Sequence, residues 1–181
     1  MALGAVRQDR HGDVLVLTLD YPPVNALSHA VRSGLAAGLD LAAADETLQA
    51  VVLTGTGAQF SAGADIAEMG AARALPDFPA LCLRIENFSK PVVAALQGAA
   101  LGGGLELALA AHYRIAAESA QVGLPEVRLG ILPGAGGTQR LPRLIGAAQA
   151  LRLILGGDRI AAVEALALGL LVQVVEDNLT E

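Results

Sequence analysis

Cysteine is almost absent from this chain of 181 residues, and no segment carries a run of basic residues. The one cysteine, Cys82, cannot form an internal disulfide, and no group of Cys and His residues has the spacing of a zinc site. The net charge of -6 argues against a nucleic-acid-binding surface. We therefore expect a protein that binds no nucleic acid and no structural metal.

Long hydrophobic runs are lacking as well, although apolar residues make up 54% of the sequence. Glu, Arg, Gln or Gly interrupts each run well before the roughly 20 residues that a membrane-spanning helix needs. The first residues carry charges where a signal peptide would need an apolar stretch. We expect a cytoplasmic protein without a membrane segment, whose apolar residues fill a large core and contact other subunits.

Short runs rich in Val, Ile and Leu alternate with longer segments of helical periodicity. The predicted strands are Val14–Leu19, 51–54, Val92–Leu96 and 170–175, and the predicted helices are 28–44 and 78–89. Such alternation indicates an α/β fold with βαβ crossovers, and the chain length favours a single domain over residues 1–181. Residues 70–79 (GAARALPDFP) lack this periodicity, so we predict a mobile surface loop there.

A glycine-rich turn precedes an apolar helix in residues 102–111 (GGGLELALAA). The glycines leave N–H groups exposed at a helix start, where an anion or a developing oxyanion is stabilised. Glu106 has apolar neighbours on every side of this helix, so burial should raise its pKa and suit it to general acid or base chemistry. A structural role for Glu106, as the partner of an arginine or of backbone N–H groups, is equally compatible with the sequence.

A second glutamate, Glu126, follows a proline in residues 122–128 (VGLPEVR). Proline restricts the residue before it and so fixes how the chain enters the next segment. Taken alone, this context favours a solvated surface residue or a partner of Arg128 over a catalyst.

Other polar and glycine-rich segments have simpler local interpretations. In residues 60–65 (FSAGAD), Gly63 permits a close backbone approach and Asp65 is a predicted helix N-cap, as Ser28 is for the first helix. Residues 130–140 lack the Gly-Lys-Ser/Thr ending of a phosphate-binding loop. The histidines have no nucleophile motif nearby, and we interpret all of them as structural or surface residues: His11, His29 and His112.

Six segments, taken in order, resemble the crotonase superfamily, which is also called the enoyl-CoA hydratase/isomerase superfamily. They are residues 22–27 (PPVNAL), 60–65 (FSAGAD), 90–95 (KPVVAA), 98–106 (GAALGGGLE), 123–126 (GLPE) and 132–140 (LPGAGGTQR). Each segment alone is weak, but the ordered set is specific and spans nearly the whole chain. Residues 102–109 and 121–126 look especially similar to the hydratase/isomerase portion of bifunctional fatty-acid oxidation enzymes.

The resemblance implies a crotonase-like spiral of ββα repeats that assembles as homotrimers or dimers of trimers. It implies addition of water across the 2,3 double bond of 2-trans-enoyl-CoA in β-oxidation, without a cofactor because the CoA thioester is the substrate. Glu106 would activate the water, Glu126 would donate the proton, and the N–H groups of Ala64 and Gly103 would form the oxyanion hole. The CoA moiety would lie along Val24, Ala26, Ala62, Gly63, Ala64, Asp65 and Ile66.

Two alternatives to hydration stay open. A Δ3,Δ2-enoyl-CoA isomerase needs the same oxyanion hole but can shuttle a proton with one carboxylate, and a non-catalytic acyl-CoA-binding homologue would share the fold without the activity. The presence of both glutamates favours the hydratase. Typical members continue for several more helices, so the resemblance also predicts a chain that is truncated before the C-terminal trimerisation helices.

Overall fold

Two β-sheets organise the chain in a computed structural model that describes residues 5–68 and 74–176. The main sheet has six strands, in the spatial order β1 (Val6–His11), β2 (Val14–Leu19), β3 (Ala50–Gly55), β4 (Val92–Leu96), β6 (Tyr113–Ala117) and β9 (Gln173–Val175). The first two form an antiparallel hairpin, and every later pair is parallel. Parallel pairing requires crossover connections, as the alternating sequence pattern predicts.

The second sheet is small. It contains β5 (Ala99–Leu101), β7 (Gln121–Gly123) and β8 (Arg159–Ala161), with β5 parallel and β8 antiparallel to the central β7. Ser61 adds a single parallel bridge to Ala100 at its edge.

The helices connect the strands of the two sheets. They are α1 (His29–Ala44), α2 (Phe78–Glu86), α3 (Gly103–Ala110), α4 (Gly137–Ile145), α5 (Ala147–Gly156) and α6 (Ala162–Ala167). Two short 3₁₀ helices cover Ile66–Glu68 and Pro125–Leu129. The predicted N-cap of α1 is confirmed, because the Ser28 hydroxyl accepts a hydrogen bond from the Val31 N–H at 3.4 Å.

A repeated unit relates these elements. In each unit a strand of the main sheet leads to a short extended segment in the small sheet, which is followed by an α-helix or a 3₁₀ helix. The three units are β3 with Ser61 and the first 3₁₀ helix, β4 with β5 and α3, and β6 with β7 and the second 3₁₀ helix. The predicted α/β spiral of ββα repeats is therefore confirmed.

Several predicted boundaries differ from the structure. The last strand begins at Gln173, not at position 170, because the Leu170 N–H donates to the Ala165 carbonyl and closes the end of α6. The helix predicted for 78–89 ends at Glu86, where the Asn87 amide side chain bonds the Leu83 carbonyl at 2.8 Å.

The predicted surface loop at 70–79 overlaps the first residues of α2. Residues 70–73 lie outside the described part of the chain, and α2 already begins at Phe78. Pro79 falls in the first turn of that helix, where a missing N–H costs no hydrogen bond.

The described residues share one hydrophobic core cluster, which includes Leu17, Leu35, Leu53, Phe60 and Leu105. These side chains come from the main sheet, α1, α3 and the segment before the first 3₁₀ helix. Within residues 5–68 and 74–176, no helix has the length and apolar character that crossing a membrane requires.

Candidate active site

The short extended segments of the three repeats lie side by side in the small sheet. Ser61 pairs with Ala100, and Leu101 pairs with Gly123. Because these pairings are parallel, the residues that directly follow each segment emerge at the same edge. This topology brings together three of the predicted site residues, which are Ala64, Gly103 and Glu126.

The backbone nitrogens of Ala64 and Gly103 lie close together at this edge. A Cβ placed on Gly103 would lie 3.2 Å from the Ala64 nitrogen, which measures how closely the two backbones approach. No acceptor for either N–H lies among the described residues. Gly103 is also the first residue of α3, where the helix dipole adds a partial positive charge. The pair can therefore stabilise an anion or an oxyanion.

Gly102 makes this arrangement possible. Its φ of 53° lies in the left-handed region, and a Cβ at this position would lie 3.1 Å from Glu126 Oε1. A side chain at this turn would meet both backbone strain and the second glutamate. Glycine is therefore favoured at this position for two independent reasons, which are the positive φ and the close approach of Glu126.

Glu106 lies one turn into α3, a helix whose residues are all buried, and the residue is only 3% exposed. Its Oε1 accepts hydrogen bonds from the N–H groups of Ala135 at 2.7 Å and Gly137 at 2.8 Å. Burial raises the pKa of this carboxyl, while the two N–H groups and the nearby Arg140 charge oppose the rise. The predicted rise of its pKa is confirmed, and so is its role as an acceptor of backbone hydrogen bonds.

Glu126 lies in the second 3₁₀ helix and is only 8% exposed. The local interpretation as a surface residue or a partner of Arg128 was wrong, because Arg128 instead bonds the Asp158 carboxylate at 2.8 Å. Burial, and next the Glu106 charge, raise the pKa of Glu126 to about 7. Its Oε2 is buried and has no hydrogen-bond partner among the described residues. Such a carboxyl can both hold and release a proton near neutral pH.

Both glutamates open into one cavity of about 530 Å³, together with Ala64 and Gly103. The remaining lining includes apolar side chains from α2 and from the segment before α4, namely Phe78, Pro79, Ile131 and Leu132. A mostly apolar cavity with a few convergent polar groups is typical of a site for a small organic ligand.

The segments that were predicted to hold CoA run alongside each other towards this cavity. The Ala62 N–H donates to the Val24 carbonyl at 3.0 Å, and the Leu27 N–H donates to the Gly63 carbonyl at 2.9 Å. These two paired segments, 24–26 and 62–66, form a ribbon that is partly open to solvent, because Ala62 is exposed and Val24 is half-buried.

The other predicted CoA contacts lie on the same ribbon. Ala26 is half-buried, and Ala64 is exposed at the cavity mouth. Asp65 caps the first 3₁₀ helix as predicted, since its Oδ1 accepts from the Ala67 N–H at 3.0 Å. Ile66 begins that 3₁₀ helix, and its side chain lies outside the described part of the chain.

The histidines occupy different environments. The His112 Nδ1 accepts from the Val92 N–H at 2.9 Å, which is a structural contact, and His11 is exposed on β1. His29 is exposed and lines the cavity mouth, where its Nε2 lies 2.7 Å from the Leu75 carbonyl. Within residues 5–68 and 74–176, no three His, Cys, Asp or Glu side chains are grouped as a metal site would require.

Sequence reasoning missed the residues that hold Glu106. Ala135 and Gly137 belong to a glycine-rich segment that carries part of the family resemblance but for which no contact with Glu106 was predicted. The available signal was the run of small residues directly before α4, because such a run exposes backbone N–H groups at a helix start. Nothing local in that run indicates which anion the groups bind.

The sequence profile of enoyl-CoA hydratases and isomerases matches residues 9–181. The chain belongs to the enoyl-CoA hydratase/isomerase family. A probable enoyl-CoA hydratase of Bacillus subtilis is 51% identical over 164 residues, and the match covers 87% of this chain and 64% of that protein. The peroxisomal bifunctional enzyme of Danio rerio is 53% identical over 168 residues, which cover 93% of this chain and 23% of that enzyme.

The fold of a solved family member is also similar. The enoyl-CoA hydratase of Bacillus anthracis superposes with a TM-score of 0.91 at 41% sequence identity, covering 97% of this chain and 71% of that one. The crotonase-like fold is therefore established. The chain spans about two thirds of the length of the Bacillus subtilis relative and less than a quarter of the Danio rerio enzyme.

Proposed function

We propose that this chain is an enoyl-CoA hydratase, which adds water across the 2,3 double bond of a 2-trans-enoyl-CoA to form a 3-hydroxyacyl-CoA in β-oxidation. One observation carries the proposal: two buried carboxyls, Glu106 and Glu126, share a cavity with the paired N–H groups of Ala64 and Gly103. Acid–base groups beside an anion-stabilising pair suit addition to a polarised double bond.

In the proposed reaction the thioester oxygen accepts hydrogen bonds from the Ala64 and Gly103 N–H groups. Glu106 removes a proton from water as the water oxygen bonds to C3, and the electron pair of the double bond moves towards the thioester. Glu126 then gives its proton to C2. The product gains one OH and one H, and a proton passing from Glu106 to Glu126 restores the starting state.

The division of roles between the two glutamates rests on their surroundings. Two backbone N–H groups bond Glu106 and favour its ionised form, as a base requires. No described residue bonds Glu126 Oε2, and burial favours its neutral form, as an acid requires. Because the two carboxyls interact, the measured pKa values will belong to the pair.

The CoA moiety is proposed to bind along the ribbon of Val24, Ala26 and residues 62–66 as part of the substrate, with no separate cofactor. The exposure of Ala62 and Ala64 supports this path, because small side chains allow a ligand to approach the main chain closely.

The test follows the absorbance of the conjugated enoyl thioester of crotonyl-CoA during hydration. We expect an active wild type, and Glu106→Gln and Glu126→Gln should each lower kcat by about 10²- to 10⁴-fold. Glu118→Gln, which changes an exposed glutamate in the turn after β6 that does not line the cavity, is the matched control and should keep wild-type activity. Normal hydration by both active-site variants would reject the mechanism, and an inactive wild type that binds CoA tightly would favour the non-catalytic alternative.

Δ3,Δ2-Enoyl-CoA isomerisation is the second candidate, since a carboxyl with a pKa of about 7, such as Glu126, can both accept and return a proton. Supplying a 3-enoyl-CoA in the same assay tests it. Formation of the conjugated thioester would add the isomerase activity.

We further propose that residues 1–181 form one catalytic domain that assembles as a homotrimer or a dimer of trimers in the cytoplasm. One shared core cluster supports the single domain, and exposed large apolar side chains on α5 and α6, including Leu151, Leu155 and Val163, support burial between subunits. Light scattering coupled to gel filtration measures the assembly, and cell fractionation measures the compartment. A monomer at micromolar concentration would reject the trimer.

A further inference from the structure

Arg140 lies in the first turn of α4, and its charge lowers the pKa of Glu106. Its Nη1 donates to the Ala135 carbonyl at 2.7 Å, and its Nη2 donates to Glu86 Oε2 at 2.7 Å. The Arg140 side chain is only 12% exposed, and its Nε is buried without a partner among the described residues. Two of its nitrogens are thus committed, one to a backbone carbonyl and one to a carboxylate on α2.

The Ala135 residue connects this arginine to Glu106. Its carbonyl accepts from Arg140, while its N–H donates to Glu106 Oε1 at 2.7 Å. Gly137, at the start of the same helix, supplies the second N–H at 2.8 Å. The Ala135 carbonyl belongs to the peptide between Ala135 and Gly136. The peptide on each side of it supplies an N–H to Glu106, so moving this carbonyl would disturb both hydrogen bonds.

Gly136 shows how closely the guanidinium packs against this segment. Its φ is 102°, which favours glycine, and a Cβ there would lie 2.1 Å from Arg140 Nη1. Because both ends of the guanidinium are bonded, it has little freedom to move away from such a group. The segment before α4 is therefore shaped around the arginine.

We propose that Arg140 is a positioning residue: acting through the Ala135 peptide, it holds Glu106 in the orientation that activates water. This inference rests on the proposed hydratase function. Glu86 on α2 completes the arrangement by fixing the other end of the guanidinium.

The electrostatic consequence has a definite sign. The charged and titratable groups around the Glu106 carboxyl are Arg140 from α4, Glu126 from the second 3₁₀ helix and Cys82 from α2. The Arg140 charge and the two N–H bonds all lower the Glu106 pKa against the effect of burial. Removing the arginine should raise that pKa and shift the acid limb of the activity profile to higher pH.

The experiment measures kcat and KM for crotonyl-CoA across pH in the full chain, for wild type, Arg140→Met, Arg140→Gln and Arg140→Lys. We expect Arg140→Met to lower kcat by about 10- to 100-fold with little change in KM, because a misplaced base slows the chemical step more than binding. Its acid limb should move to higher pH. Arg140→Gln should also lower kcat and move the acid limb to higher pH. It replaces Arg140→Met if that variant does not fold.

Arg140→Lys separates charge from geometry. It keeps the positive charge but cannot bond the carbonyl and the carboxylate in the same fork geometry. Its acid limb should stay close to that of wild type, while its kcat lies between those of wild type and Arg140→Met.

Arg84 provides a matched control. It also bonds a backbone carbonyl, that of Ala36 at 3.3 Å, and a carboxylate, that of Asp40 at 2.7 Å, but it joins α2 to α1 away from the glutamates. Arg84→Met should lower the melting temperature without moving the pH profile. The proposal is overturned if Arg140→Met and Arg140→Gln keep the wild-type kcat and acid limb, or if Arg84→Met changes them equally.

A second measurement keeps this inference separate from the proposed function. Carbon-13 NMR of labelled glutamate carboxyls, assigned with Glu106→Gln, follows the Glu106 titration without any turnover. If wild type does not hydrate crotonyl-CoA, hydration is rejected, yet a higher Glu106 pKa in Arg140→Met still supports the interaction between Arg140 and Glu106 on which the positioning depends. An unchanged pKa overturns it.

Discussion

Replacing Glu126 by glutamine should remove much of the pH dependence of the chain's stability. Burial raises the pKa of Glu126 from 4.5 to about 7 in the folded chain. Below pH 4.5 both the folded and the unfolded states hold the proton. As the pH rises towards 7, the unfolded state releases the proton while the folded state keeps it, so the free energy of unfolding falls. Above pH 7 the loss is complete.

The size of the effect follows from the difference between the two pKa values, which is about 2.5 and corresponds to about 3 kcal/mol. Glutamine has nearly the same shape but does not titrate, so Glu126→Gln should lose this dependence. Glu106 also has a raised pKa, and it contributes to both proteins. The comparison between wild type and variant therefore isolates Glu126, whereas the slope of either protein alone does not.

Chemical denaturation at pH 5 and at pH 8 measures the free energy of unfolding of each protein. The decrease between these pH values should be larger in wild type than in Glu126→Gln by about 2 to 3 kcal/mol. Glu118→Gln, at an exposed position, should behave as wild type does. Equal decreases in wild type and Glu126→Gln would refute the reasoning, because they would mean that Glu126 titrates alike in the folded and unfolded chain.

Three further predictions concern activity and stability. The kcat/KM for crotonyl-CoA should fall as the pH rises above about 7, because Glu126 must hold a proton to donate it; a flat profile to pH 9 would contradict this role. Gly104→Ala should lower kcat by about 10²- to 10³-fold, because the added Cβ would lie 2.4 Å from the Ser61 carbonyl and push α3 away from the Ala64 N–H. An unchanged kcat would show that the close approach of α3 to Ser61 is dispensable. Asn25→Ala should lower the free energy of unfolding by about 2 to 3 kcal/mol, because its buried amide bonds two backbone carbonyls and one backbone N–H; denaturation that detects no loss would contradict it.

Glu106 and Glu126 show why local reasoning succeeds for one residue and fails for another. The Glu106 helix is apolar all round, so burial is visible in its own sequence and the structure agrees. Glu126 lies in a short polar segment, and its burial comes from the neighbouring repeats and from the α3 turn at Gly102. The ordered family resemblance compensated for this, because it carries information about distant parts of the chain.

The secondary structure divides in the same way. Long periodic segments such as α1, and apolar runs such as β2 and β4, were predictable because their patterns arise within one element. The three-residue strands β5 and β7 are too short to show a period, and they exist because they pair with each other. Those short strands are what bring Ala64, Gly103 and Glu126 to one edge.

By itself, the sequence determined the α/β class, the glycine turn with its free N–H groups and the unusual burial of Glu106. Each of these depends on residues that are near one another along the chain. Only the tertiary structure decided that Ala135 and Gly137 hold Glu106, that Arg140 bonds Glu86 on α2 and that burial raises the pKa of Glu126 to about 7. These residues are far apart in sequence. Hydrogen bonding and burial depend on which residues are close together in space, and the folded chain alone determines that.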